Sequence, residues 1–163
     1  MKRPTHLFWA LAATVLAADQ GTKAWVSATL APGEYVAILG RVVGIRVSAN
    51  TGAAFGLLAS AGPALTLLTL AGVAALLLYT RHVSRAHPFA LPALGLLLGG
   101  ALGNLADRVR LGHVVDFIYT SFWPTFNVAD IALTAGAILL SLGLLGASHR
   151  SAARDGEKAA RQP

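Results

Sequence analysis

Three long runs of the sequence contain no charged side chain, and they constrain the fold more than any other feature. They are Leu57–Thr80, Phe89–Ala106 and Ile131–Ser148, with 24, 18 and 18 residues. About 20 consecutive apolar residues cross the hydrocarbon core of a bilayer as an α-helix. Only 12% of the chain is charged, against about 25% in soluble domains. The sequence therefore predicts an integral membrane protein.

A fourth, less regular span is predicted near the start of the chain. Leu7–Ala18 is too short to cross alone, but it reaches the required length if the helix continues through Asp19 and Lys23 to about Ala28. The basic start "MKRPTH" and the short apolar core also fit a cleavable signal peptide. We favour a span, because three further spans follow that can supply partners for its polar residues.

We therefore expect one membrane domain over residues 1–163, with an all-α fold and a small β element. Its four spans are predicted at about 6–28, 57–80, 89–107 and 128–148, followed by a disordered basic tail at 149–163. The segments 1–6, 81–88 and 149–163 contain eight of the Lys and Arg residues, whereas 29–56 and 108–126 contain four. Because Lys and Arg favour the cytoplasmic side, both termini are predicted to be cytoplasmic. The net charge of +6 is then mostly membrane-anchoring charge, and no nucleic-acid partner is expected.

The outward segments and the third span carry local signals. Residues 29–56 are rich in Val, Ile and Tyr, which predicts two or three short strands at the membrane surface. Pro124 predicts a turn shortly before the fourth span. In the third span, Gly95, Gly99 and Gly103 recur every four residues, which favours close helix packing.

Most of the polar side chains that are costly near hydrocarbon fall at one level, the outer ends of the spans. These residues are Asp19, Lys23, Asn50, Asn104, Asp107, Arg108, Asp116, Asn127 and Asp130. Ionisable residues at membrane depth are functional candidates by default. Their concentration on one side predicts a site there.

Several of these residues also have a structural explanation. Asp19 and Lys23 are spaced i, i+4 and can form an ion pair on one helix face. Asp107 can pair with Arg110 or another basic neighbour. Asn127 can cap the fourth span, with Asp130 at the third helical position as in a capping box.

Asp116 is the hardest of these acids to explain structurally. It lies between apolar neighbours in "GHVVDFI", so its carboxyl group requires a partner or a proton. If this segment folds back against the fourth span, Asp116 faces Asp130. Two adjacent carboxylates share one proton, so one can act as a base and the other as an acid.

Other chemistries have less support in the sequence. The chain has no cysteine, which excludes disulfides and thiolate chemistry. It has no H-E-x-x-H zinc motif and no phosphate-binding P-loop. Only one histidine, His113, lies in an outward segment, without an obvious serine nucleophile motif beside it.

Five motifs, taken together, resemble a known family. They are "DQGTK" at 19–23, "NTGAAFG" at 50–56, "GGALGNLADR" at 99–108, "GHVVDFI" at 112–118 and "FNVAD" at 126–130. In this order, across nearly the whole chain, they resemble prolipoprotein signal peptidase, or signal peptidase II, a bacterial membrane aspartyl protease.

The resemblance implies four transmembrane helices, a small extracytoplasmic sheet and a short interfacial helix, in the bacterial cytoplasmic (inner) membrane. It implies that Asp116 and Asp130 are the catalytic pair, near the extracytoplasmic face. The residues implied to line the site, where they orient the catalytic pair or hold the main chain of the substrate, are Asp19, Asn50, Gly52, Asn104, Arg108 and Asn127. The implied partners are diacylated prolipoproteins, membrane lipids and globomycin-type inhibitors, and no metal or cofactor is implied.

Two other functions remain open from the residues alone. Acids in membrane spans also form proton relays, so a small proton-coupled transporter is one alternative. A non-enzymatic membrane scaffold is the other. A relay usually places acids through the depth of the membrane, whereas here they lie at one level.

Overall fold

The computed structural model describes residues 5–31, 33–51, 62–82 and 90–143. These residues form four helices and one sheet. The helices are α1 (Thr5–Thr29), α2 (Gly62–His82), α3 (Ala90–Leu111) and α4 (Val128–Gly143). The strands are β1 (Val36–Leu39), β2 (Val43–Asn50), β3 (Val114–Thr120) and β4 (Trp123–Phe126). All neighbouring strands are antiparallel, in the order β1-β2-β3-β4.

Within the described residues, two helices are long and apolar enough to cross a membrane, over Gly62–Arg81 and Ala90–Leu111. Helix α1 has 25 residues and includes Asp19 and Lys23, as expected for the first predicted span. Helix α4 is apolar but shorter over its described length, and the end of its predicted span lies outside the described residues. The number of membrane crossings stays a prediction.

Glycines of α3 allow α1 to approach closely, as the four-residue spacing predicted. A Cβ atom added at Gly95 would lie 2.7 Å from the carbonyl oxygen of Phe8, and one at Gly99 would lie 2.7 Å from that of Ala12. On another face of α3, Gly100 fits against the carbonyl oxygen of Ala129 in α4. Helix α3 is therefore the central helix, with neighbours packed at backbone distance.

The outward surface of α2 is apolar. Leu67 and Leu68 are 67% and 68% exposed. A continuous apolar surface of this kind is unusual on a soluble monomer and suits contact with lipid. Against the other side of α2, Val73 packs into a buried apolar cluster that includes Leu94 and Leu98 of α3.

The sheet is larger than the sequence indicated. Residues 29–56 supply two strands, as predicted, but residues 114–126 supply two more. The predicted turn at Pro124 is wrong, because Pro124 lies inside β4 and the turn falls at residues 121–122. β4 is an edge strand, where a residue without an N–H group is tolerated. No short interfacial helix occurs among the described elements, and residues 52–61 lie outside them.

Candidate active site

Asp116 reaches the site because α3 ends sharply just before β3. Gly112 has a φ of +76°, and its N–H group donates to the carbonyl oxygen of Arg108 at 3.0 Å. This is a helix C-terminus closed by a left-handed residue, a conformation that favours glycine. The chain then reverses into β3, where Asp116 pairs with Ser48 of β2.

The pairing of β2 with β3 also places the first partner of Asp116. Asn50 lies two residues beyond Ser48 and therefore points to the same face of the sheet. Its Nδ2 group donates to Oδ2 of Asp116 at 2.8 Å. Asp116 is only 2% exposed.

Asp130 is held at the start of α4 by the predicted capping box. Oδ1 of Asn127 accepts the N–H group of Asp130 at 3.0 Å, and Oδ2 of Asp130 accepts the N–H group of Asn127 at 3.2 Å. The reciprocal pattern satisfies two backbone donors of the first turn. The other oxygen of Asp130 accepts Nδ2 of Asn104 at 2.9 Å.

Asn127 joins the two acids. Besides capping α4, its Nδ2 group donates to Oδ1 of Asp116 at 2.7 Å and to Oδ1 of Asn104 at 3.1 Å. Asn127 is fully buried, and it bonds to both carboxyl groups: its side-chain amide donates to Asp116 and its backbone N–H group donates to Asp130. The three asparagines that the sequence indicated are thus all bonded to the acid pair.

Burial raises the pKa of Asp116 from 3.8 to about 6, because the charged form loses hydration. The hydrogen bond from Asn50 lowers this pKa, whereas the negative charge of Asp130 raises it. The hydrogen bond from Asn127 and the positive charge of Lys23 also lower it. The effect of Asp130 means that the two acids interact electrostatically. A state with one proton on the pair is therefore accessible at mildly acidic to neutral pH.

Two apolar recesses open towards Asp130. The first is a cavity of about 670 Å³ between α2, α3 and α4, lined by Asn104, Arg108 and Asp130 and otherwise mostly by apolar side chains. Its volume is in the range of ligand-binding pockets. The second is a groove of about 520 Å³ beside Phe122 and Trp123 of the β3–β4 hairpin and Ile131 of α4.

Of the predicted site residues, Asn104, Arg108 and Asp130 line the larger cavity, whereas Asp19, Asn50, Asp116 and Asn127 line neither recess. Gly52 lies outside the described residues. Asp19 was expected to face substrate, but it is 0% exposed, because α1 packs at Gly103 of α3, where an added Cβ atom would lie 2.5 Å from Oδ2 of Asp19. The expected contact of Asp19 with substrate stays a prediction.

Asp19 instead belongs to a buried ion cluster behind the acid pair. The ammonium group of Lys23 lies 2.8 Å from Asp19 and 2.8 Å from Asp107, and it donates to Oδ1 of Asn104 at 3.1 Å. The predicted pairs of Asp19 with Lys23 and of Asp107 with Arg110 are both present. Gln20, which sequence reasoning missed, donates to Asp107 at 3.0 Å; its only sequence signal is its place in the "DQGTK" motif.

Within the described part of the chain, no group of three or more His, Asp or Glu side chains is arranged to hold a metal ion. The arrangement around Asp116 and Asp130 consists of two carboxyl groups and amide donors. Such a pair can exchange protons with a bound water and with a substrate.

The close approach of α1 to α3 predicts a stability effect at Gly103. In the Gly103→Ala variant, the new methyl group collides with Asp19, so we expect a loss of about 1–3 kcal/mol, as for other overpacked cores. Gly21→Ala is the matched control, because nothing lies within 4 Å of an added Cβ atom there. Thermal unfolding in detergent micelles should show a lower midpoint for Gly103→Ala only. Equal midpoints would contradict the packing described here.

Comparison with solved structures places the fold in a class. Two structures, both described as bacterial membrane enzymes determined by the in meso method, at 2.3 and 1.9 Å resolution, are similar to this chain with TM-scores of 0.77 and 0.75. They are 34% and 35% identical to it, and they match 85% and 83% of this chain and 87% and 90% of their own. The helices and the attached sheet are therefore the fold of a bacterial membrane enzyme.

The sequence comparisons are more specific. Residues 11–146 match the family described as Signal peptidase (SPase) II. The lipoprotein signal peptidase of Moorella thermoacetica is 40% identical over 138 residues, which cover 85% of this chain and 92% of that protein. The lipoprotein signal peptidase of Xylella fastidiosa strain 9a5c is 42% identical over 158 residues, 89% and 93% of the two chains. The chain belongs to the signal peptidase II family and is a bacterial membrane peptidase.

Proposed function

We propose that this chain is a membrane-embedded aspartyl endopeptidase. It removes the signal peptide from diacylglyceryl-modified prolipoproteins by cleaving the peptide bond before the lipidated lipobox cysteine. The observation that carries the proposal is the joining of Asp116 and Asp130 through Asn127 beside a large, mostly apolar cavity. Family membership and the names of the relatives supply the substrate class.

The acid pair divides the chemistry between two carboxyl groups. We assign the shared proton to Asp116, because burial raises its pKa and an apolar substrate that excludes water raises it further. Asp130 acts as the base. It takes a proton from a water molecule, whose oxygen attacks the scissile carbonyl carbon.

The proton on Asp116 then completes the reaction. It first stabilises the developing oxyanion and then passes to the leaving amine as the C–N bond breaks. The water supplies the hydroxyl group of the new carboxyl group of the signal peptide, and transfer of the proton from Asp130 to Asp116 restores the starting state. The steps need no covalent intermediate and no metal.

The two recesses offer separate places for the apolar parts of the substrate. The diacylglyceryl chains occupy the cavity between α2, α3 and α4, where Leu76 and Leu94 line the wall. The signal helix lies alongside α4, in the groove next to Trp123 and Ile131. Asp130 borders both recesses, so the scissile bond between the two parts lies at the acid pair.

The membrane arrangement follows the charge pattern. All four helices cross the inner membrane, both termini are cytoplasmic, and the acid pair lies near the extracytoplasmic face. Within the described helices, residues 62–80 and 90–106 contain no charged side chain. A proton relay through the membrane therefore has no acidic or basic side chain along these two stretches, which favours the peptidase over the transporter.

Filling the larger cavity should weaken substrate use. We expect Ala75→Trp to lower kcat/KM roughly 10-fold or more, mainly by raising KM, because Ala75 lines the cavity and the indole ring would fill part of it. A tenfold change corresponds to about 1.4 kcal/mol of lost binding free energy. Ala74→Trp, one residue along α2, is the control because Ala74 is exposed and does not line the cavity. Equal kinetics for the two variants would contradict the assignment of the cavity.

The proposed function is tested by digestion of a purified diacylated prolipoprotein with the purified protein. The expected products are a free signal peptide and a chain that begins with the lipidated cysteine, as identified by mass spectrometry. Globomycin-type inhibitors are expected to block the reaction. Proton flux across liposomes without any cleavage would support the transporter instead.

A further inference from the structure

The buried ion cluster behind the acid pair contains more charge than the proposed chemistry uses. Its centre is Lys23, whose ammonium group has three acceptors: one oxygen each of Asp19, Asp107 and Asn104, at 2.8, 2.8 and 3.1 Å. Asp19 and Asp107 are 0% exposed and Lys23 is 3% exposed. Burying such ions is unfavourable unless all their bonds are made. The cluster therefore calls for a role beyond stability.

The remaining contacts of the two carboxylates lead to the acid pair. Oδ1 of Asp19 accepts the backbone N–H group of Ala129 at 2.9 Å. Oδ2 of Asp107 accepts the backbone N–H group of Val115 at 3.1 Å. Ala129 immediately precedes Asp130, and Val115 immediately precedes Asp116.

We propose that Asp19, Lys23 and Asp107 form a positioning bridge, which ties together the two backbone segments that carry Asp116 and Asp130 and so sets the distance between the two carboxyl groups. The inference rests on the proposed function, because it assigns these residues to the geometry of that acid pair. The bridge runs from Ala129 through Asp19, Lys23 and Asp107 to Val115.

The contacts exclude direct participation in the chemistry. Within the described residues, Asp19 and Asp107 bond to backbone groups, Lys23, Gln20 and Arg110, and not to Asp116 or Asp130. Lys23 reaches Asp130 only through the amide of Asn104. These are therefore positioning residues and not catalytic ones. A displacement of about 1 Å in a catalytic group lowers a rate roughly 10²-fold.

The rim of the cluster is closed where α1 meets α3. Gln20 donates to Oδ1 of Asp107 at 3.0 Å and to the carbonyl oxygen of Gly103 at 3.1 Å. Arg110, which is 62% exposed, donates to Oε1 of Gln20 at 2.7 Å. These bonds shield the bridge from solvent and keep it rigid.

Asp19 and Asp107 distribute their hydrogen bonds differently over their two carboxylate oxygens, and this difference provides a matched pair of variants. Asp19 uses separate oxygens for Ala129 and Lys23, so Asp19→Asn leaves one oxygen for two distant donors and breaks the bridge. Asp107 uses Oδ2 for both Val115 and Lys23, so Asp107→Asn retains both contacts through one oxygen and loses only the rim bonds that Gln20 and Arg110 donate to Oδ1. Each variant removes one negative charge.

The test compares these variants in steady-state cleavage of a diacylated prolipoprotein, with folding checked by thermal unfolding. We expect Asp19→Asn to lower kcat roughly 10²-fold with KM little changed, as for a lost geometric constraint. The fall in kcat for Asp107→Asn should be at least about tenfold smaller than that for Asp19→Asn. Equal losses would show that charge and not position matters, and a near wild-type kcat for folded Asp19→Asn would also overturn the bridge.

A second variant covers the case in which Asp19→Asn does not fold. Ala129→Pro removes the N–H donor to Asp19 and leaves every charge in place, and proline is tolerated in the first turn of a helix. We expect the same fall in kcat, and an unchanged kcat would overturn the proposal. An Asp116→Asn sample in the same assay distinguishes failure of the proposed function from failure of the positioning bridge. If Asp116→Asn still cleaves the substrate, the proposed function fails, whatever the kinetics of the bridge variants.

Discussion

Asp116→Asn and Asp130→Asn are each expected to lower kcat for prolipoprotein cleavage by roughly 10²- to 10⁴-fold, the contribution of general acid or base catalysis. Asp116→Asn removes the proton donor, and Asp130→Asn removes the base that activates water. An amide side chain keeps nearly the same size, so the helices and the sheet should still form. The measurement is single-turnover digestion of a diacylated substrate, followed on gels or by mass spectrometry.

Glu34→Gln is the matched control for these substitutions. It makes the same acid-to-amide change at an exposed position, where the carboxylate accepts a local bond from the N–H group of Ala31 at 2.9 Å. Its kinetics should equal those of the unaltered protein. Substantial cleavage by a folded variant of either site acid would remove both residues from the mechanism.

The raised pKa of Asp116 predicts that stability falls as pH rises. Unfolded, this carboxyl group ionises near its ordinary pKa of 3.8, but in the folded protein it ionises only near 6. Between these values the folded state binds more protons than the unfolded state, so stability falls with pH. Above about pH 6 the full cost of holding a buried carboxylate is present, on the order of 3 kcal/mol at about 1.4 kcal/mol for each pKa unit.

Asp116→Asn should therefore be inactive and yet less sensitive to pH. We expect the midpoint of its thermal unfolding in detergent to stay flatter between pH 4 and pH 7 than that of the unaltered protein, because the amide does not ionise. Asp130→Asn removes a neighbouring negative charge that raises the pKa of Asp116. The fall in stability of this variant with rising pH should therefore occur at lower pH. Parallel pH profiles for all three proteins would refute this account of the buried acid.

Features governed by local spacing could be predicted from the sequence. The capping box of Asn127 and Asp130 and the pair of Asp19 with Lys23 depend on residues three or four positions apart on one helix. The glycine face of α3 follows the same helical period. These rules depend on local helix geometry and not on tertiary contacts.

The remaining features depend on contacts distant in sequence. Val114 to Phe117 are all buried, so β3 lacks the alternation of polar and apolar residues that identifies a half-exposed strand. Asp107 bonds to Gln20, 87 positions away, and Asp19 bonds to the backbone of Ala129, 110 positions away. Spacing rules do not reach such distances. The burial of Asp19 was missed for this reason, and its expected contact with substrate stays a prediction.

The double use of Asn127 has a consequence for how activity arises during folding. The same side chain begins α4 and bonds to Asp116 on β3, so the acid pair exists only once the first turn of α4 has wound and docked against the sheet. On the proposed function, a chain whose last helix has not yet formed therefore has no assembled catalytic pair, so cleavage activity should appear only with the completed fold.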